Sequence, residues 1–220
     1  MFVGVLALQG DFREHSLIVQ KLGFKTIEVR TKSDLKQCSG LIIPGGESTT
    51  LSLLMKKYSL ISLVKTMVKQ GMPVFGTCAG AILLAKKVDK KQGLLALIDM
   101  EIRRNAYGSQ IDSFETDLKF NGTIVHGVFI RAPVIEKVSK NVKILAEFEE
   151  KPVLVEQLNL MASTFHPELT QNTRVHELFL KKVKEFEKKV KIEKSKEKTK
   201  NEKLKRAKKV EKSEKKKVKE

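Results

Sequence analysis

A cysteine flanked two residues on either side by glycine, Gly76-Thr77-Cys78-Ala79-Gly80, stands between an apolar stretch, Pro73-Val74-Phe75, and a helix-forming one, Ala81-Ile82-Leu83-Leu84-Ala85. This is the thiol form of the strand–turn–helix nucleophile elbow. In so tight a turn, side chains at positions 76 and 80 would collide. The sulfur would sit at a helix N-terminus, where the dipole and free N–H groups favour thiolate. Downstream comes Ser163-Thr164-Phe165-His166-Pro167-Glu168. If His166 ends an extended strand, residues two apart share a face, and His166 and Glu168 point the same way. That pair supplies a base and its orienter for a thiol nucleophile. Each piece has a plainer reading alone, a buried structural cysteine and a surface turn. Together they favour covalent acyl chemistry.

A third piece is Leu41-Ile42-Ile43-Pro44-Gly45-Gly46-Glu47-Ser48-Thr49-Thr50. A buried strand ends in Pro-Gly-Gly, and an N-cap candidate opens a helix near Thr49. The glycines expose backbone N–H groups where an oxyanion could sit, and the N–H of Ala79, after the nucleophile, is the other donor. As a phosphate cradle the turn lacks the Walker lysine and the full G-x-G-x-x-G spacing.

These motifs together resemble the class I, triad-type glutamine amidotransferases. Further runs narrow the resemblance to one branch, the glutaminase subunits of pyridoxal 5′-phosphate synthase. They are Gly4-Val5-Leu6-Ala7-Leu8-Gln9-Gly10-Asp11-Phe12 with Glu14-His15, Arg104-Asn105, Asp112-Ser113-Phe114-Glu115, Phe129-Ile130-Arg131-Ala132-Pro133 and Phe165-His166-Pro167-Glu168-Leu169. The resemblance covers roughly residues 2–188. It implies Cys78 as nucleophile, His166 as general acid/base and Glu168 as orienter. It implies that Gly46, Glu47 and Ser48 hold L-glutamine, with Gly46 also near the oxyanion, and that Arg104, Ile130 and Arg131 complete the pocket. It also implies a separate synthase subunit as partner, in a large hetero-oligomer that receives the ammonia, and the vitamin B6 route as the destination. Ser109 departs from the family pattern, standing where arginine usually follows the glycine of the Arg-Asn-x-x-Gly run.

The elements that must position these groups alternate in the first half. Strands are expected at 2–8, 26–29, 41–43 and 74–75, and helices at 12–22, 49–57 and 60–70. Continuous apolar strands between helices predict an α/β fold, a mostly parallel central sheet with helices on both faces. Both the elbow and the Gly-Gly turn fall at strand C-terminal ends, where ligands bind in open α/β sheets. The second half reads as shorter strands at 101–103, 116–120, 124–130, 143–147, 153–156 and 160–164, with Asn121-Gly122 as a hairpin signal. This is an antiparallel addition that returns the chain to bring His166 beside Cys78. From Thr173 a helix follows, with Val175, Phe179, Val183, Phe186 and Val190 as a core-packing stripe. The expected division is a domain over 1–188 and a lysine-rich tail over 189–220, an exposed helix or disordered.

The remaining histidines point to less. His15 sits on a helix that the resemblance turns toward the partner subunit, or is a plain surface residue. His126 and His176 have no cysteine or carboxylate cluster at ligand spacing and read as structural. No metal and no cofactor are expected.

The net charge of +17 is concentrated in one place. Residues 181–220 hold 20 Lys/Arg against 8 Asp/Glu, a net of +12, and the other 180 residues carry only +5. A nucleic-acid role for the body therefore has little support, and the tail suits only loose attraction to polyanions. No apolar run reaches the length that spans a membrane. Met1-Phe2-Val3-Gly4 lacks the basic start of a signal peptide. The two cysteines, Cys38 and Cys78, are expected reduced in a cytoplasmic protein, Cys38 as a plain half-buried residue.

Two other readings stay open at this point. The same scaffold could serve a cysteine peptidase or the glutaminase subunit of another biosynthetic amidotransferase. Alternatively, the chain could be a binding protein with a basic arm and an idle triad.

Overall fold

The computed structural model describes residues 2–104 and 113–217, with side chains as far as Lys196 except Lys194. Asn105, Ser109 and Asp112 lie outside the described residues. The chain divides into two compact units, Met1–Val183 and Lys184–Glu220.

The first unit is built on a seven-stranded sheet of order β11-β12-β13-β4-β3-β1-β2. Its strands are β1 (Phe2–Leu6), β2 (Lys25–Val29), β3 (Gly40–Ile43), β4 (Val74–Thr77), β11 (Lys143–Phe148), β12 (Lys151–Gln157) and β13 (Leu160–Ser163). The strands from β13 to β2 run parallel, and β12 and β11 extend the edge antiparallel. β3, β4 and β13 are buried throughout, as their uninterrupted apolar sequences require. α1 (Phe12–Lys21), α2 (Lys32–Lys36), α3 (Ser48–Lys57), α4 (Ile61–Lys69) and α5 (Ala79–Leu84) punctuate the first half. α1 packs on β1 and β2, and α5 on β3, β4 and β13. A second sheet, of order β10-β7-β5-β6, is formed by β5 (Ala85–Val88), β6 (Lys91–Gln92), β7 (Ile98–Arg103) and β10 (Val134–Val138). A separate hairpin joins β8 (Ser113–Phe120) to β9 (Thr123–Ile130), turning at Asn121-Gly122.

The architecture is the expected α/β one, with three differences in detail. β13 is not part of the antiparallel addition. It inserts parallel to β4, because Leu160-Met161-Ala162 is apolar on both faces and fits only a central position. α2, β5, β6 and β10 are additional elements. α2 is announced by a capping box, with the Thr31 hydroxyl accepting from Asp34 N and the Asp34 carboxylate accepting from Thr31 N. β5 and β6 are short and lysine-rich, and gain strand character only by pairing. The third concerns the apolar stripe. α6 (Arg174–Lys217) buries Val175, Phe179 and Val183, while Phe186 and Val190 are only half-buried.

The core unites the sheet with the hairpin. Phe75 and Phe179 meet at 5.8 Å between ring centroids, and Phe129 reaches both Phe165, at 5.5 Å, and Phe114, stacked at 4.5 Å. Leu118, Phe120 and Val125 of the hairpin belong to the same buried cluster as Val3, Ile42 and Met161. Cys38 is buried more deeply than expected. Its Sγ donates to the Asp34 carbonyl at 3.2 Å, and burial, with the Asp34 charge nearby, pushes its thiol up to about 12.

The second unit continues the helix from residue 184 to Lys217. Its described side chains are mostly exposed, and Glu187 and Lys191 form an ion pair at 3.8 Å, one turn apart. Among the described residues, no helix is long and apolar enough to cross a membrane.

Candidate active site

β4 and β13 end side by side, with Ser163 opposite Thr77. Cys78 follows β4 directly, and its N–H donates to the Ser163 carbonyl at 2.8 Å. The cysteine holds φ 46° and ψ −101°, strained for a residue with a Cβ. Glycine is required on both sides. A Cβ at Gly76 would lie 2.5 Å from the Gly80 carbonyl carbon, and one at Gly80 would strike the Ile43 carbonyl oxygen. The elbow thus has the steric character that the sequence predicts. It projects Cys78, 7% exposed, toward a cavity of about 510 Å³.

His166 arrives three residues after β13. Its N–H donates to the Val128 carbonyl at 2.8 Å, so β9 anchors the imidazole's backbone. A 3₁₀ turn, Pro167–Leu169, then brings Glu168 back under the ring. His166 Nδ1 lies 2.7 Å from Glu168 Oε1 and 3.4 Å from Asp11 Oδ2, and the imidazole lines the same cavity as Cys78. Burial disfavours the imidazolium, but the Asp11, Cys78 and Glu168 contacts outweigh it and push His166 up to about 12. Burial would raise Glu168, yet the His15 and His166 imidazoles beside it hold it below the usual carboxylate range. Both directions describe an ionised carboxylate under a proton-bearing imidazole.

The cavity is lined by Asp11, Gly46, Glu47, Ser48, Cys78, Ile82, Arg104, Ile130, Arg131 and His166. Every expected site residue therefore reaches it except Ala79 and Glu168, which are buried behind its wall. The Pro-Gly-Gly turn is clamped from two sides. A Cβ at Gly45 would strike the His166 ring, and one at Gly46, with φ 141°, would lie 2.5 Å from Gln9 Oε1. Gln9 Oε1 in turn accepts from Glu47 N at 2.9 Å. Glu47 caps α3, accepting from Thr49 N at 2.8 Å and Thr50 N at 2.6 Å, and these bonds pull its carboxyl down to about 2 despite a small opposing burial effect. Arg104 is held by Asp89, with Nε 2.6 Å from Oδ2. Ile130 turns its carbonyl toward Cys78 Sγ at 3.9 Å. Asp11, His166 and Glu168 form the one grouping of metal-ligand-type atoms among the described residues, all within 4.8 Å. Because His166 Nδ1 is already bonded to Glu168, that grouping is better suited to acid–base work than to a cation.

Two histidine expectations are overturned. His15 is not at the surface: it is fully buried, 3.4 Å from Glu168 Oε2. His126 is not without carboxylates. The hairpin register sets Asp117 directly opposite it, and its two ring nitrogens lie 2.9 Å from Asp117 and 2.9 Å from Glu115. Asp11 and Ile82 are further cavity residues without an earlier role. The i, i+4 spacing of Asp11 and His15 was the available signal, since it places both on one side of α1.

Comparison with known proteins adds relatives to this geometry. The profile of the SNO glutamine amidotransferase family matches residues 5–185. Pyridoxal 5′-phosphate synthase subunit PdxT of Kosmotoga olearia is 46% identical over 188 residues, 83% of this chain and 98% of its own length. The protein of the same name from Thermus thermophilus is 48% identical over 182 residues, 81% of this chain and 95% of its own. A crystal structure of a glutamine amidotransferase superposes with a TM-score of 0.79 at 47% identity, over 82% of this chain and 98% of that one.

Proposed function

The chain belongs to the SNO glutamine amidotransferase family, and on that premise we propose that it hydrolyses L-glutamine as the glutaminase subunit of a pyridoxal 5′-phosphate synthase. The observation that carries the reading is the meeting of two strand ends. Cys78 after β4 and His166 after β13 share one cavity, with Glu168 bonded behind the imidazole. Two arginines, Arg104 and Arg131, line the same space and suit the α-carboxylate of an amino acid.

The reaction follows from these groups. Cys78 thiolate attacks the side-chain amide carbon of glutamine, and the carbonyl π electrons move onto oxygen. The N–H groups of Gly46 and Ala79 hold that oxyanion. His166 gives its proton to the departing nitrogen, the C–N bond breaks, and ammonia leaves a thioester on Cys78. The now neutral imidazole takes a proton from water, whose oxygen attacks the thioester. Collapse returns the thiolate and releases glutamate. Glu168 keeps the His166 proton on Nδ1 so that Nε2 can serve both steps. Gly46, Glu47, Ser48, Ile130 and the two arginines bind the substrate.

Ammonia passes to a synthase subunit in a large hetero-oligomer, for carbon–nitrogen bond formation in the cytoplasm. The catalytic body is assigned to residues 1–188, and 189–220 to an appendage without a part in the chemistry. The profile match ends at residue 185, which supports that division. The deciding experiment is co-purification with the synthase subunit, followed by glutaminase assay with and without it. The expected result is a stable complex and a rise in glutamine turnover on docking. The Pro44-Gly45-Gly46 turn is the part that completes the oxyanion site, since glycine peptides can reorient. Equal turnover at saturating glutamine, alone and in complex, would contradict the docking step. Peptidase activity without glutaminase activity would overturn the whole reading.

A further inference from the structure

Behind the cavity lies a second histidine pair. His15 comes from α1 and His176 from the first turn of α6, and both are fully buried. His15 Nδ1 is 2.9 Å from His176 Nε2. On the other side of the ring, His15 Nε2 is 3.1 Å from Thr77 Oγ1 and 3.4 Å from Glu168 Oε2. The N–H direction favours the hydroxyl, with the carboxylate oxygen alongside as an electrostatic neighbour. Phe75 presents its ring edge-on to both imidazoles. One residue past Thr77 is the nucleophile, and two residues before Glu168 is the base.

The proton positions follow from what is left without a partner. His176 Nδ1 is buried and has none, and Glu168 Oε2 likewise has no hydrogen-bond partner, with His15 Nε2 beside it at 3.4 Å. Suppose His15 carried its proton on Nδ1. It would donate to His176 Nε2, forcing the His176 proton onto Nδ1 and stranding a buried N–H. It would also turn an Nε2 lone pair toward an ionised carboxylate. A cationic His15 strands the same N–H. With both protons on Nε2, His176 donates to His15 Nδ1, and His15 Nε2–H faces Thr77 and Glu168. What then lacks a partner is only a lone pair, the less costly deficit. Burial, the largest effect, pushes His176 down to about 3, in keeping with a neutral ring.

We propose that His15 is a positioning residue of the glutaminase site: its Nε2–H bonds Thr77, next to Cys78, and sets its positive edge beside the Glu168 carboxylate, and His176 fixes the tautomer that makes this possible. The inference rests on the glutaminase reading above. Its consequence is directional. His15 Nε2–H stands 3.4 Å from Glu168 Oε2 and favours its charge, Oε1 accepts from His166 Nδ1–H, and His166 Nε2 is left free of the carboxylate.

The test measures glutamine turnover by the full chain in complex with the synthase subunit. His15→Asn places its amide only at the Nδ1 position and loses the N–H that bonds Thr77 and faces Glu168. It is expected to lower kcat on the order of 10-fold, with KM for glutamine within about twofold of the parent. His15→Gln, whose amide nitrogen reaches the Nε2 position, is expected to recover most of that loss. Histidine ¹⁵N NMR of the unsubstituted chain should show Nε2–H tautomers at both His15 and His176, and this readout stands even if the Asn variant folds poorly. An Nδ1 proton at either residue, parent-like kcat for the Asn variant, or a Gln variant as slow as the Asn one would overturn the proposal. His166→Ala, assayed alongside, separates the two claims. If it is inactive while His15→Asn is fully active, only the positioning role fails; if it is active, the triad reading fails.

Discussion

Two stretches of this chain stand out in the sequence, the glycine-flanked Cys78 and the lysine-rich run beyond residue 183, and the contrast between them is one of constraint. At the elbow, neighbours leave no room for change. The Ile43 carbonyl blocks any side chain at position 80, the Gly80 backbone blocks one at 76, and the Ser163 carbonyl fixes the cysteine's own N–H. In the C-terminal unit, a Glu187–Lys191 ion pair at 3.8 Å links residues one turn apart, an interaction worth only a few tenths of a kcal/mol on an exposed helix. Chemistry resides where sterics exclude alternatives, and high charge by itself marks no comparable site.

The sharpest way to break that contrast is to remove the sulfur. Cys78→Ala should abolish glutamine hydrolysis, on the order of 10⁴-fold or more, because no other cavity group can form the thioester. Circular dichroism should be unchanged, since the substitution loses one atom from a side chain that faces a cavity. Near-normal turnover in the folded variant would reduce the elbow to a structural turn.

Next in size are the two residues that serve the sulfur. His166→Ala should cost more than Glu168→Gln, because the imidazole moves protons while the carboxylate holds its tautomer. Full activity in both variants would return His-Pro-Glu to a plain turn. The Glu168 shift also has a pH sign. Its folded pKa is depressed, so its contribution to stability is present above the ordinary glutamate value of about 4.3 and is lost as pH falls through the lower folded value. The melting temperature of Glu168→Gln should therefore fall less than the parent's as pH is lowered through that window.

Gly80→Ala tests the constraint without replacing any reacting group. A methyl group directed at the Ile43 carbonyl must displace β3 or α5. The expected cost is about 1–3 kcal/mol, seen as a lower melting temperature along with reduced turnover. An unchanged melting temperature would show that the elbow is looser than its contacts indicate.

These local features were legible because their signals are local. A tight turn needs glycine within two residues, and a continuous apolar run identifies a buried strand. The His-x-Glu pair is real, but not by the expected strand geometry: β13 ends at Ser163, and a 3₁₀ turn, Pro167–Leu169, brings Glu168 under the ring. What escaped depends on partners far along the chain. His15 and His176 are 161 positions apart, and nothing in either helix marks them as partners in a direct contact beside Phe75. His126 meets Asp117 only once the hairpin register is known. The parallel placement of β13 depends on a vacancy beside β4 that only the assembled sheet defines. The capping box at Thr31 and Asp34 is the one local signal for α2, and without a periodic pattern, which five residues are too few to carry, it was passed over.

His126 offers a smaller test, on a surface where charges do meet. Hydrogen bonds that its ring N–H groups donate to Glu115, then Asp117, raise its pKa. The raised value means stability that is fully present below about 6.5 and is lost as pH rises through the folded pKa. Exposure keeps the effect slight. The parent's melting temperature should fall by a little across that range and that of His126→Gln should not. Identical profiles would mean that the two carboxylates are only neighbours.

The smallest expected effect is from the tail. Residues 181–220 carry a net +12, but the profile match stops at residue 185 and the cavity is lined by residues 11–166. The apolar stripe ends at Val190, so the sequence beyond it has little to bury and no pattern that specifies a partner face. A dense run of ammonium groups attracts polyanions through counterion release, and that attraction falls steeply with salt. Truncation after Val190 should leave glutaminase turnover and synthase binding at parent levels. Retention on a heparin column should fall at low ionic strength and match the parent's at high. Loss of activation by the synthase subunit in the truncated chain would reverse the contrast, because the lysine-rich run would then be a docking element whose specificity comes from its partner.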